Sequence, residues 1–406
     1  MKIGIDLRAL QTGHKFRGIG EVAKQTTNRI VGLASSDESI SFIFYEYDDD
    51  DPKELLDLPK GLAYEVVKLG HMPEGDKAAS KLTKLRRNFD QLYGSPVKDS
   101  AKSDVFLQFD YAFGVPKNTR TVVIKHDLIP YIFWDSFFDS AWLSFKNRAL
   151  RTTLRTLFAN HKYKQTLRRS LKNAGVIISV SESTKNDLHR FFKLSNKKIK
   201  VAHLGVDMAP VKTNHTQEVS KMPTKPYLLF VGAGDARRRV DDLVTAFNNL
   251  RADGRDIQLV LVGENFKSPN SIPNLNVRKS VLESSYKSDI LTLGYVDDVM
   301  KQKLYKGAVA FVYPTKYEGF GIPVLESMLL ECPIITYKNS SIPEVGGEYA
   351  LYAHDWTEIQ GYIEELLDEP GEMRRERVTN AKKYAEKFTW EATAGIIYSE
   401  LVNEGK

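Results

Sequence analysis

The residues best equipped for chemistry lie between Val312 and Pro333, in the stretch VYPTKYEGFGIPVLESMLLECP. Glu318 and Glu326 stand in E-x7-E spacing, with Gly319, Phe320, Gly321, Ile322 and Pro323 between them. An apolar strand run, Ala308 to Tyr313, leads in, and the pattern after Gly321 predicts a helix over Pro323 to Leu330. Proline is tolerated in a first helical turn because the N–H it lacks has no partner there. The two glycines let the backbone bend and let a ligand approach closely. Helix-start N–H groups, at the positive end of the dipole, suit a phosphate. Ionised carboxylates accept hydrogen bonds from sugar hydroxyls. The stretch therefore offers an anion cradle flanked by two acids. Alone, E-x7-E also describes a strand, a turn and a helix with solvated glutamates, so the rest of the chain decides.

Three further groups bear on that choice. Gly232-Ala233-Gly234-Asp235-Ala236-Arg237-Arg238-Arg239 follows the apolar run Tyr227 to Val231. Guanidinium groups there would pair with an anionic ligand. His126 and Asp127 follow the strand run Thr121 to Lys125, where an open parallel sheet presents its ligand crevice. Arg17-Gly18-Ile19-Gly20-Glu21 forms a glycine-rich turn after the first strand run, a standard place to hold a phosphate and equally a plain structural turn. No Asp/His cluster has metal-ligand spacing, and D-x-D occurs only within Asp48 to Asp51, which reads as a solvated loop. No cofactor is expected beyond a co-substrate.

The elements that must position these groups form two series of alternating strands and helices. The first covers residues 1–208, with strands at Lys2–Asp6, Ile40–Tyr45, Val105–Phe109, Thr121–Lys125, Val176–Val180 and Ile199–His203. Residues 209–226, with Pro210, Pro223 and Pro226, read as a linker. The second series covers 227–387, and a last helix, with Phe388 and Trp390 at its start, occupies 388–406. Such alternation predicts two parallel doubly wound sheets. A polar stretch, His71 to Ser103, contains a helical pattern near Ala78 to Leu92.

At 406 residues, 42% hydrophobic and 27% charged, the composition is that of a globular protein too long for one ordinary core. The single cysteine, Cys332, excludes an internal disulfide framework and fits a reducing compartment. It is expected to be a buried packing residue. The opening MKIGIDLRAL has too short an apolar run for a secretory leader, and no run is long enough to span a membrane. The net charge of +6 is unevenly placed. From Ser140 to Asn173 there is no acid, while Lys146, Arg148, Arg151, Arg155, Lys162, Lys164, Arg168, Arg169 and Lys172 are all basic. Trp134, Phe137, Phe138, Trp142 and Phe145 lie at its front. This pattern is either a solvated face or a surface for anionic lipid or an anionic acceptor. No recognition motif supports nucleic acid.

Taken together, Gly232 to Arg239, Gly294-Tyr295-Val296, Tyr313-Pro314-Thr315, the E-x7-E stretch and Ser340-Ser341-Ile342-Pro343-Glu344-Val345-Gly346-Gly347 resemble the retaining nucleotide-sugar glycosyltransferases of family 4. The resemblance implies the GT-B fold: α/β, two Rossmann-like parallel-sheet domains facing across a cleft, with the C-terminal helix crossing back to the first. It implies a metal-independent hexosyltransferase using a UDP-hexose or GDP-mannose type of donor. Arg237 and Arg238 match the basic pair that holds the diphosphate, although the family more often has Arg-Lys. Glu318 matches the acid that meets the donor sugar and Glu326 the one that takes the ribose. Gly232 and the backbone of Gly319, Phe320, Gly321 and Ile322 complete the donor site. Gly18 and Gly20 match the loop that approaches diphosphate and acceptor, and His126 the histidine near the reaction centre. The implied mechanism is front-face attack with retention, the leaving phosphate taking the acceptor's proton. The expected setting is polysaccharide or glycoconjugate assembly on a glycan acceptor of the lipid-linked kind, by a cytoplasmic enzyme at the inner membrane face. The alternatives are a non-catalytic partner subunit, action on a protein-linked glycan, or another GT-B chemistry such as sugar-nucleotide epimerisation. Donor base, acceptor, linkage and oligomeric state are not readable from these residues.

Overall fold

The structure, a computed structural model, describes residues 1–11, 18–44, 51–68, 103–109, 115, 118–133, 150–208 and 222–403, with only the backbone for 150–160 and 162. The aromatic group at 134–145, Lys146, Arg148, Arg17, Asp48 to Asp50, the expected helix near Ala78 to Leu92 and most of the expected linker lie outside those residues.

The chain divides into two units, Met1–Gly205 with Thr389–Lys406, and Val206–Phe388. The first holds a seven-stranded parallel sheet in the order β3-β2-β1-β4-β5-β6-β7. Its strands are β1 Lys2–Asp6, β2 Ser39–Phe44, β3 Tyr64–Lys68, β4 Val105–Gln108, β5 Arg120–Lys125, β6 Val176–Ser179 and β7 Ile199–Val201. The second holds a six-stranded parallel sheet in the order β10-β9-β8-β11-β12-β13. These are β8 Tyr227–Val231, β9 Gln258–Val262, β10 Ile290–Gly294, β11 Ala310–Tyr313, β12 Ile334–Tyr337 and β13 Leu351–Ala353. Central strands are buried on both faces, as β4, β8, β9 and β11 show, which is why they read as continuous apolar runs. The expected parallel α/β fold is present in each unit.

Two strands escaped the sequence reading for a shared reason. β3 is an edge strand with a mostly exposed face, and β13 is three residues long, so neither forms a strong apolar run. Helix bounds shift by a residue or a few. The helix expected over Pro323 to Leu330 runs Ile322–Leu329, and the helix after β1 runs Gly18–Leu33. The helix Trp356–Asp368 is opened by Asp355, whose carboxylate accepts from the N–H groups of Thr357 and Glu358.

The last helix, Trp390–Val402, packs in the first unit against Gly18–Leu33. Trp390 is buried, as expected of a packing residue. Gly205 makes room for it: a Cβ there would stand 2.1 Å from the Trp390 nitrogen. Arg120 donates to the carbonyls of Glu400 at 2.7 Å and Leu401 at 3.1 Å, satisfying orphan acceptors at the helix end. The helix Leu150–Asn173 buries Leu167, Ser170 and Leu171 in the core beside Ile177 and Leu188, and leaves Arg168, Arg169 and Lys172 exposed. Among the described residues no helix is long and apolar enough to cross a membrane.

Candidate functional site

In the second unit the first strand, β8, lies between β9 and β11, so chain order reverses there. Loops leaving β8 and β11 diverge at such a switch point and open a crevice at the carboxyl ends of the strands. Arg237 and Arg238 sit on one of these loops and Glu318 on the other. Gly232 starts the β8 loop at a φ of 153°, and Gly263, after β9, packs against it: a Cβ on Gly263 would lie 2.0 Å from the Gly232 carbonyl oxygen. Asp235 then accepts from the Arg237 N–H at 3.2 Å and shapes the short 3-10 turn Ala236–Arg238.

Those turns bring two guanidinium groups to one carboxylate. Arg237 Nη1 donates to Glu318 Oε1 at 2.5 Å and also to the Tyr317 carbonyl. Arg238 Nη1 lies 3.0 Å from the same Glu318 oxygen, with its guanidinium 4.9 Å from the centre of the Tyr313 ring. The Tyr313 hydroxyl at 3.0 Å and the Thr315 hydroxyl at 2.9 Å donate to Oε1 as well. Glu318 is 8% exposed. Its N–H donates to Ser340 Oγ at 2.9 Å, and the Ser341 hydroxyl lies 2.9 Å from its carbonyl oxygen and 2.8 Å from that of Phe320. The loop is thus fixed from the β12 side. Phe320 buries its ring against Phe388, so Gly319 to Ile322 offers a ligand chiefly its backbone. Gly321, at φ 108°, precedes the helix Ile322–Leu329, where Pro323 occupies the first turn. A Cβ there would be strained in φ and would press to 3.1 Å on Ile342 Cδ1.

Glu326, on that helix, has a separate partner that the sequence reading did not single out. Lys301 Nζ donates to its Oε1 at 2.8 Å, and the Tyr305 hydroxyl to Oε2 at 3.3 Å. Both come from the helix Asp298–Gly307 and stand one turn apart, so they share a face. Burial would lower the Lys301 ammonium, but the charges of Glu326 and Asp298 outweigh it and hold the group above the ordinary lysine range. Burial, then Glu326, pushes the Tyr305 phenol well up. Lys301 therefore stays an ammonium and Tyr305 a neutral donor, which keeps Glu326 an oriented carboxylate. Their i, i+4 spacing was visible in the sequence, but nothing local pointed it at Glu326.

The first unit carries Gly18, Gly20 and His126. Gly18 opens the helix after β1 and is exposed, while Gly20 is buried one turn in. His126 follows β5, is half-buried, and places Nε2 2.9 Å from the Phe109 carbonyl oxygen. A carbonyl only accepts, so Nε2 carries the proton. Asp127 accepts from the Ile129 N–H at 2.8 Å, a turn-forming role. The sequence reading passed over Asp6 and Arg8, which form a buried bidentate pair at the end of β1, with bonds of 2.8 and 2.7 Å. Of the expected site residues, the second unit gathers Gly232, Arg237, Arg238, Glu318 and the Gly319–Ile322 backbone in one cluster, and places Glu326 in its own ion pair. Cys332 is buried at 2% exposure, with its thiol pushed up to about 12 by burial.

The chain has known relatives. The family model described as "Glycosyl transferases group 1" matches residues 211–384, and that described as "Glycosyltransferase Family 4" matches residues 42–209. Over 235 residues the chain is 27% identical to O-antigen chain mannosyltransferase B of Escherichia coli, covering 56% of this chain and 60% of that protein. The first curated relatives are matched over 51–60% of their length. Among solved structures, sucrose-phosphate synthase from Thermosynechococcus elongatus superposes with a TM-score of 0.64 and 17% identity, covering 100% of both chains. Anabaena HepE in complex with UDP-glucose gives 0.62 and 13%, covering 99% of each chain. Two parallel-sheet Rossmann-like units, a family model on each half of the chain, and matching solved folds agree: the chain belongs to glycosyltransferase family 4 and has the GT-B fold.

Proposed function

We propose that this protein transfers a hexose from a nucleoside diphosphate sugar to a glycan acceptor. The observation that carries the reading is the convergence of Arg237 and Arg238 on Glu318 at the switch point of the second sheet. Two guanidiniums at a carboxyl-end crevice fit a diphosphate, whose charge grows as the glycosidic bond breaks. Glu318 supplies their countercharge. An arriving diphosphate takes over that role and leaves the carboxylate to accept from the sugar hydroxyls. Glu326, held by Lys301 and Tyr305, keeps lone pairs for the ribose hydroxyls. The Gly319–Ile322 backbone and Gly232 line the donor. We also assign Gly18 and Gly20 to diphosphate and acceptor, and His126 to the sugar.

The reaction needs no metal in this scheme, because the guanidiniums carry the leaving-group charge. Neither glutamate is assigned as a nucleophile. Acceptor attack from the face the nucleotide leaves, with the departing phosphate taking the acceptor proton, gives retention. The mannosyltransferase relative favours a GDP-mannose type of donor and the HepE complex a UDP-hexose. The O-antigen mannosyltransferase relative supports polysaccharide assembly as the setting, and we extend that setting to a lipid-linked acceptor at the inner face of a membrane. There the exposed Arg168, Arg169 and Lys172 would meet anionic headgroups. A panel of UDP-hexoses and GDP-mannose, assayed for nucleoside diphosphate release with a mixed glycan acceptor, tests the function. Turnover that Glu318→Ala and Arg237→Ala abolish supports it. Turnover unchanged in both variants refutes the site, and isomerised donor without acceptor would indicate epimerisation.

A further inference from the structure

A cavity lies on the same unit, at the carboxyl ends of β8, β11, β12 and β13, with a volume of about 350 Å³. That is within the range that encloses a small ligand, ~300–1,000 Å³. Its lining includes Arg239, Lys316, Lys338, His354, Trp356 and Asp242. Neither glutamate of the E-x7-E stretch lines it, and neither does Arg237 or Arg238.

Three cations, Arg239, Lys316 and Lys338, outnumber the two acids, Asp242 and Asp355, in the lining of this cavity. Asp242, 7% exposed, accepts from Arg239 Nη2 at 2.5 Å and from the Tyr337 hydroxyl at 2.6 Å. Burial and that carboxylate push the Tyr337 phenol up, so it remains a donor to Asp242. Asp355 is engaged at the start of its helix, accepting from Thr357 and Glu358. Asp242 is thereby paired with a cation, whereas Asp355, bonded by neutral donors, keeps its full charge. Lys316 and Lys338 are exposed and form no ion pair among the described residues, and Lys338 has only the Tyr352 ring, 5.7 Å away. The cavity thus presents two unmatched ammonium groups, with His354 and the half-buried Trp356 beside them.

The walls are rigid. Arg239 and Ser340 hold left-handed backbone conformations, φ 46° and 45°, which cost non-glycine residues energy and persist only where surroundings enforce them. Asn339 is fixed on both sides of its amide, donating to the Thr315 carbonyl at 2.7 Å and accepting from Ser340 Oγ at 3.0 Å. The Lys316 N–H donates to the Arg237 carbonyl at 2.8 Å. The cavity is therefore built on the back of the loops that form the Arg237–Glu318 cluster.

We propose that this cavity binds an anionic monosaccharide unit, a uronate or a sugar phosphate, as a subsite separate from the donor site. The lysines pair with the carboxylate or phosphate, and the apolar face of the sugar ring packs on the Trp356 indole. The inference stands without the donor assignment, since none of its residues serves that site.

The test is a calorimetric titration of the full chain with D-glucuronate, glucose 6-phosphate, D-glucose and inorganic phosphate, with and without saturating UDP and GDP. The expected result is saturable binding of both acidic sugars, unaffected by nucleotide, with glucose and inorganic phosphate each about tenfold weaker or worse. The double variant K316Q/K338Q, checked for an unchanged melting temperature, is expected to weaken the acidic sugars by at least about tenfold. Trp356→Ala separates the saccharide from its anion: it weakens glucuronate and leaves phosphate as it was. Absence of saturable binding, binding unchanged in K316Q/K338Q, or phosphate bound as tightly as glucose 6-phosphate overturns the proposal. Displacement by nucleotide overturns it too, by assigning the acid to the donor site. Failure of UDP and GDP themselves to bind would count against the donor reading alone.

Discussion

Glu318→Gln separates the two jobs assigned to that carboxylate. The substitution preserves side-chain shape and leaves an amide oxygen where Oε1 accepts from Arg237, Tyr313 and Thr315, with Arg238 Nη1 3.0 Å away. It removes the charge that faces two guanidiniums, whose side chains are 9% and 14% exposed. Breaking a buried pair by removing one partner costs about 3–5 kcal/mol, and the retained hydrogen-bond acceptor places this case near ~3 kcal/mol. In a unit of this size each kcal/mol moves the melting temperature by about 2–4 °C, so a fall of roughly 6–12 °C is expected in the ligand-free protein. A nucleoside diphosphate without sugar supplies the missing countercharge. The melting-temperature rise that UDP or GDP produces should therefore be larger in the variant than in the parent, because a ligand that binds only the folded state stabilises it. Turnover of the nucleotide sugar should be lost at the same time. Differential scanning calorimetry with and without nucleotide reads the first two effects. A variant that melts like the parent, or gains less from nucleotide than the parent does, refutes the countercharge argument.

Four shorter predictions follow from other parts of the fold. Lys301→Met leaves Glu326, at 13% side-chain exposure, without its cation and should weaken nucleoside diphosphate binding about tenfold by titration, with 2′,3′-dideoxy analogues affected less. Because the folded-state Lys301 value lies above the ordinary 10.5, its stabilisation is full below that pH and lost as pH rises toward the raised value. Alkaline melts should accordingly decline less steeply above pH ~10.5 in the variant than in the parent. Gly263→Ala pushes a Cβ into the Gly232 carbonyl at a backbone angle few side chains adopt, and should cost about 3 kcal/mol or more by denaturant titration while weakening nucleotide binding. Cys332 should resist a thiol reagent in the native protein and react fully after denaturation, since its thiol is buried and pushed up to about 12. Neutralising Arg168, Arg169 and Lys172 should reduce co-sedimentation with anionic vesicles, by roughly 1 kcal/mol per charge. Equal co-sedimentation of parent and variant would remove the membrane role.

Much of this was legible in the sequence, for identifiable physical reasons. The strands that hold the site are buried on both faces, so β8, β9 and β11 appear as uninterrupted apolar runs. Gly321 and Pro323 announce the turn and helix start through their backbone constraints alone. Arg237, Arg238 and Glu318 carry side chains whose chemistry suggests a diphosphate wherever they meet. What stayed hidden is nonlocal. Lys301 reaches Glu326 from another helix, and no spacing rule ties the two. Tyr313 and Thr315 were part of a motif, but their hydroxyl bonds to Glu318 depend on how the β11 loop folds back. The Asp6–Arg8 pair is local in sequence, yet its burial is set by the neighbouring strands. Edge strand β3 has no fully buried residue on either face, so no apolar run or alternation announces it.

The central claim is that Arg237 and Arg238 hold the diphosphate of a nucleotide sugar, and calorimetric titration tests it most directly. UDP, GDP and the matching monophosphates are titrated into the parent protein and into Arg237→Ala, with melting curves to confirm that the variant is folded. The account predicts saturable binding of at least one diphosphate, weaker binding of its monophosphate, and a loss of about ten- to a hundredfold in the variant, the worth of one charge-assisted contact. Diphosphate and monophosphate bound equally, or an affinity indifferent to Arg237, would contradict it.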